Sequence, residues 1–142
     1  MMEALLDTVS RRTFDFFWER SPVATGLTPD RWPTPSFSSI AAVGFALTAY
    51  PIGAEQGYVS RDAAAERVLT TLRFFYQLPQ GPAAAGTGGY RGFFYHFLDP
   101  VSGFRFQTVE LSTVDTALLL AGVLFCQQYF DRAGGLEPAI RA

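Results

Sequence analysis

From Ala117 to Cys126 the chain reads ALLLAGVLFC, a run with no charged, hydroxyl or amide side chain. The run is longer than an average strand and far shorter than the roughly 20 apolar residues that a membrane-spanning helix needs. It predicts a buried helix. Glu110-Leu111-Ser112-Thr113-Val114-Asp115 stands directly before it, with Ser112 or Thr113 placed to cap it. A buried helix must be surrounded by other apolar elements, and that requirement frames the reading of everything upstream.

Three upstream segments have helical spacing. In Met2–Arg20, Leu5, Val9, Arg12 and Phe16 form one row, with Leu6, Thr13 and Phe17 beside it. Phe14-Asp15-Phe16-Phe17-Trp18 spreads aromatic rings almost round this helix, which predicts cover on more than one side. Ser36–Tyr50 is a second helix, capped by Ser36, Ser38 or Ser39 and ended by Pro51 and Gly53. Its Ala41, Ala42, Gly44, Ala46 and Ala49 predict close approach by neighbouring helices. Ser60–Leu78 is a third, capped by Ser60 with Asp62 in the first turn. Val68, Leu72, Phe75 and Tyr76 form its core stripe, while Arg61, Glu66, Arg67 and Arg73 read as a solvated face. The fourth helix runs from about Ser112 to Asp131 and is broken by Gly134-Gly135; a fifth element begins at Leu136.

Two loops separate these helices. Ser21–Pro35 carries prolines at 22, 29, 33 and 35. Before the fourth helix, Gly86, Gly88 and Gly89 lead into Phe93-Phe94-Tyr95-His96-Phe97; Pro100-Val101-Ser102-Gly103 turns the chain, and Phe104-Arg105-Phe106 returns it as a hairpin. Strands and crossover helices do not alternate, which argues against a parallel sheet, and no fixed-period repeat is present. The fold class is mainly α with a small β-hairpin in one loop, and residues 1–142 read as a single domain.

Composition narrows the function classes. An apolar content of 49% excludes disorder. A net charge of −2 draws neither nucleic acid nor an anionic membrane surface. Cys126 is the only cysteine, so no internal disulfide forms, and its apolar setting suits a small buried hydrophobe better than a nucleophile. One Cys and one His cannot supply a zinc cluster, and no metal or other cofactor is expected. MMEALLDTVSRR is acidic first and basic last, the wrong order for a secretory signal, which leaves the compartment open.

Fourteen phenylalanines, six tyrosines and two tryptophans are many for this length, so some rings should lie outside the core, where flat faces stack on a ligand. Glu110 and Asp115 flank a helix start and have aromatic neighbours. Glycoside hydrolysis needs such a pair: one carboxylic acid to protonate the leaving oxygen, one carboxylate as nucleophile or base. Tyr90, Phe94, Tyr95 and Trp32 offer stacking faces, and His96 and Arg105 can hydrogen-bond sugar hydroxyls. Asp30 and Arg31, beside Trp32, form either a sugar-binding edge or a surface pair of little worth. Structural roles compete at each place. Ser112-x-x-Asp115 fits a capping box, Glu110 suits the positive end of a helix dipole, and His96 suits a satisfied structural histidine. Asp99, before Pro100, belongs to the turn.

Three stretches carry a resemblance: Ser39-Ile40-Ala41-Ala42-Val43-Gly44-Phe45, Gly92-Phe93-Phe94-Tyr95-His96-Phe97-Leu98-Asp99, and Glu110-Leu111-Ser112-Thr113-Val114-Asp115 continuing to Gly122. Together they resemble the glycoamylase-like family, which includes endo-β-1,2-glucanases and a domain of cyclic β-1,2-glucan synthases. The likeness runs from Thr13 to about Phe130. It implies the N-terminal part of an (α/α)6 barrel with a sugar cleft at one end, this chain holding about four of the twelve helices. It further implies a glycoside hydrolase acting on β-linked glucan, β-1,2-linked foremost, by carboxylate acid/base chemistry. Glu110 is then acid or sugar ligand and Asp115 the second carboxylate, with Tyr95, His96, Arg105, Trp32, Asp30 and Arg31 as substrate contacts. The resemblance suggests a periplasmic or cytoplasmic bacterial protein. With the family's later carboxylates outside this chain, it also implies that the chain alone is inactive and pairs with itself or with the rest of a barrel. The alternative is a non-catalytic glucan-binding or helical interaction module whose carboxylates serve as caps.

Overall fold

The computed structural model describes residues 2–142. Helix α1 (Met2–Arg20) leads through the proline-rich loop to β1 (Ser38–Ser39) and α2 (Ile40–Glu55). Helix α3 (Arg61–Gln77) follows, then three short strands, β2 (Gly89–Tyr90), β3 (Phe93–Phe94) and β4 (Phe97–Leu98). Helix α4 (Thr113–Tyr129) and the short α5 (Glu137–Arg141) complete the described chain. The architecture is mainly α with small β pairs, as expected. Serines start three of the helices: Ser39 accepts from the Ala42 N–H, Ser60 from Ala63 and Ser112 from Asp115.

The β pairing differs from the expected hairpin. β2 and β3 pair antiparallel around Arg91-Gly92, both at positive φ (52° and 85°), the condition for a two-residue hairpin of the primed type. β4 pairs instead with β1, Ser39 opposite Phe97 and Ser38 opposite Leu98, which pins the aromatic stretch to the start of α2. The turn at Pro100–Gly103 is present but supports only one bridge, Leu98 to Arg105. Asp99 belongs to it as expected, its carboxylate accepting from the N–H groups of Val101 and Ser102.

Helices α2 and α4 cross backbone to backbone. A Cβ on Gly44 would lie 2.3 Å from the Leu118 carbonyl oxygen, and one on Gly122 would lie 2.3 Å from the Gly44 oxygen. This is the close approach that the small residues of the second helix predict. Gly44→Ala is therefore expected to lower the thermal midpoint. Overpacking of about 1–3 kcal/mol corresponds to roughly 3–10 °C in a chain of this size. Circular dichroism reads it directly, and an unchanged midpoint would mean that the two helices have room to spare.

Five expectations are corrected. Helix α2 does not end at Pro51 but runs through it to Glu55. Proline lacks the N–H that the Leu47 carbonyl would otherwise receive, and the buried Cys126 thiol donates to that carbonyl at 3.0 Å. Burial pushes the thiol up to about 12, so it stays protonated and able to donate. Helix α1 is covered only in its second half: Phe14 is buried and Phe16, Phe17 and Trp18 are half-buried, but Leu5, Leu6 and Val9 are each more than half exposed.

In α3, Arg67 is buried rather than solvated. It donates to the carbonyls of Trp18 and Ser21 at the C-terminal end of α1, where the helix dipole favours a cation. Arg61 grips Glu137 with two bonds of 2.7 and 3.0 Å, which holds that carboxyl down at about 2. Tyr76, expected in the core stripe, is 92% exposed, and α3 turns Ala64, Ala65, Leu69 and Thr71 inward beside Val68 and Phe75. Last, α4 is apolar all round but buries only the stripe Thr116, Leu119, Gly122 and Cys126. Leu118, Leu120, Leu124 and Phe125 are exposed.

Candidate functional site

The residues on either side of the α4 start run antiparallel to the end of the aromatic stretch. The His96 N–H donates to the Glu110 carbonyl at 3.0 Å, the Ser112 N–H donates to the Phe94 carbonyl at 3.0 Å, and Tyr95 bridges to Leu111. Thr116 Oγ1 accepts the Phe94 N–H at 3.0 Å, locking this short ladder to the first turn of α4. The pairing sets His96 beside Glu110, with Asp115 one turn into the helix.

Two carboxylates therefore converge on one imidazole. His96 Nδ1 lies 2.9 Å from Glu110 Oε1, and Nε2 lies 3.4 Å from Asp115 Oδ2. Glu110 is exposed, yet its carboxyl is held below the usual carboxylate range, first by its own backbone N–H and then by the His96 bond. Asp115 forms only half of the expected capping box. Ser112 Oγ accepts the Asp115 N–H at 3.1 Å and donates to Asp115 Oδ2 at 2.6 Å, but the Ser112 N–H is taken by the Phe94 carbonyl, so the Asp115 carboxylate holds the Ser112 hydroxyl rather than the backbone. Among the described residues, no three His, Cys, Asp or Glu side chains are grouped to hold a metal ion.

The proline-rich loop reaches the same place through stacked rings. His96 stacks on Phe97 (3.8 Å), Phe97 lies on Phe37 (3.9 Å), and the Arg31 guanidinium sits over Phe37 at 5.6 Å. Arg31 pairs with Asp30 at 3.4 Å. Trp32 follows, 56% exposed, with Arg20 over one face at 3.9 Å. Arg31, with Asp30 beside it, is thus linked to His96 through Phe37 and Phe97, whereas the Trp32 ring meets Arg20. Neither Phe37 nor Arg20 is singled out by the sequence, because each meets its partner only through the fold.

Two ring expectations are corrected. Tyr95 is buried beneath Arg105, whose guanidinium sits 4.6 Å from the ring, and Phe94 is buried edge-on to Phe75. Neither offers a free face to a sugar; Phe93 and Trp32 are the exposed rings here. Arg105 spends two donors on its own loop, Nε to the Val109 carbonyl at 2.7 Å and Nη2 to the Thr108 carbonyl at 3.0 Å. It shapes the segment that delivers Glu110.

No family model matches the chain. It is 27% identical over 148 residues to an exo β-1,2-glucooligosaccharide sophorohydrolase (non-reducing end) from Parabacteroides distasonis, covering 98% of this chain and 19% of that protein. The fold matches a β-1,2-glucanase structure from Parabacteroides distasonis with a TM-score of 0.83 and 26% identity, covering 99% of this chain and 20% of that one. It also matches an endo-β-1,2-glucanase from Chitinophaga pinensis, solved with sophorotriose and glucose, with a TM-score of 0.79 and 23% identity, covering 99% and 34%. The chain spans about a fifth of the curated relative's length and a fifth to a third of the two structures. The resemblance and the helical fold expected from it both hold, over a part of these larger proteins.

Proposed function

We propose that this chain builds part of the sugar cleft of a glycoside hydrolase acting on β-1,2-linked glucan. The observation that carries the reading is the convergence of Glu110 and Asp115 on His96 at a helix start, with the rings of Phe97 and Phe37 linking His96 to Arg31, the chain neighbour of the exposed Trp32. The relative and the two structures, named for activity on β-1,2-glucans or their oligosaccharides, support that substrate class.

Within the cleft, Glu110 is an ionised acceptor for sugar hydroxyls or a base toward water. A general acid needs its pKa raised, and Glu110's is lowered. Asp115 divides its carboxylate between the cap and His96. These commitments favour a second reading for the chain by itself: glucan binding without catalysis, the proton donor being another group. The bare apolar faces of α4 suit further barrel helices or a second copy.

Calorimetric titration of residues 1–142 with linear β-1,2-glucooligosaccharides tests the reading, with β-1,3 and β-1,4 isomers as controls and chromatography to detect products. Binding selective for the β-1,2 linkage, without turnover, is expected. Turnover by the chain alone would place a general acid within it and refute the binding-only reading. No binding of any glucan would remove the sugar cleft altogether.

A further inference from the structure

His96 is the only histidine of the chain, and both of its ring nitrogens face carboxylates. We propose that His96 is a positioning residue that fixes the Glu110 carboxylate through Nδ1–H, itself held in place by the stacked rings of Phe97 and Phe37. The inference rests on the glucan-cleft reading for its consequence, but its first readout needs no sugar.

The geometry ranks the contacts. The Glu110 side chain is 68% exposed and would otherwise sample several rotamers. An ionised carboxylate only accepts, so the nitrogen 2.9 Å from it must carry the hydrogen. That length is normal for N–H···O, whereas 3.4 Å from Nε2 to Asp115 is beyond the usual range. Asp115 has a shorter bond, 2.6 Å from Ser112, to fix it without the ring. The imidazole is oriented from behind: it stacks on Phe97 with an interplanar angle of 25°, and Phe97 rests on Phe37. Its backbone N–H is held by the Glu110 carbonyl at 3.0 Å, and its carbonyl faces the Ile40 N–H at the start of α2 at a longer 3.4 Å. A sugar hydroxyl arriving here meets a carboxylate already aimed, and pre-paid ordering of this kind appears as affinity.

Amide isosteres separate the two ring nitrogens. Asparagine places an N–H where Nδ1 stands, and glutamine places one where Nε2 stands. In a carbon-detected NMR titration, the Glu110 carboxyl is expected to titrate below the usual range in the parent and in His96→Asn. In His96→Gln it should move up toward that range. Affinity for a β-1,2-glucooligosaccharide should stay within about threefold in His96→Asn and fall by about tenfold or more in His96→Gln. The opposite order would make Nε2 the working nitrogen and overturn the proposal; so would equal behaviour of the two variants. The nitrogen-15 spectrum of the single histidine in the parent protein checks the same point without any substitution, since a ring without hydrogen on Nδ1 sinks it. If Glu110 follows the predicted order while no glucan binds to any form, the positioning role stands and the cleft reading falls.

Discussion

Glu110→Gln is expected to weaken binding of a β-1,2-glucooligosaccharide by about tenfold to a hundredfold while moving the melting temperature by no more than about 2 °C. The two halves of this expectation come from different facts. The side chain is well exposed, so almost no packing depends on it. Glutamine keeps one oxygen to accept from His96 Nδ1, removes the charge and turns the other acceptor oxygen into an NH2 donor, so the comparison tests the ionised, acceptor-only carboxylate. A charge-assisted bond from a sugar hydroxyl to a carboxylate is roughly twice as strong as its neutral counterpart, and that difference is what the substitution deletes. A variant that binds glucan as the parent does, but melts well below it, would make Glu110 a structural residue of the α4 start.

How much of this could be read in advance depended on how far apart the partners lie in the chain. The caps at Ser60 and Ser112 are local, a hydroxyl serving an N–H three residues on, and they were legible. The pairing of Glu110 and Asp115 as carboxylates at one helix start was legible for the same reason, but the place of His96 between them comes from the Tyr95–Leu111 bridge and the His96 N–H to Glu110 carbonyl bond, across fourteen residues. Long-range partners were not. Pro51 reads as a stop unless Cys126 is known to serve the orphaned Leu47 carbonyl. Arg67 reads as a surface residue unless the end of α1 is known to present it with two carbonyls. The aromatic stretch reads as material for sugar stacking, but Phe94 and Tyr95 are spent on the core beside Phe75 and Arg105. Aromatic abundance carries no information about which ring keeps a free face.

Residues 1–142 on their own are expected to self-associate. The argument begins with α4, whose sequence is apolar in every direction although one stripe alone meets α2. A helix hydrophobic all round is a helix with neighbours all round. On one flank, Leu72, Tyr76, Leu120, Val123 and Ile140 line an apolar groove of about 570 Å3 between α3, α4 and α5. Leu118, Leu124 and Phe125 of α4 and Phe45 and Ile52 of α2 are exposed as well. Each 100 Å2 of such surface removed from water contributes about 2.5 kcal/mol, against an association cost of roughly 4–15 kcal/mol. A self-complementary contact of ordinary size therefore favours a second copy, since the same faces are available on both molecules. Sedimentation velocity between about 1 and 100 μM should show the average mass rising with concentration, because this span brackets ordinary micromolar affinities. Leu118→Glu with Leu124→Arg should hold the chain at 15.6 kDa by setting unpaired charges into the contact. A parent chain that stays monomeric at the top of that range, with a sharp cooperative melt, would mean that these faces tolerate water and that α4 is not built for neighbours.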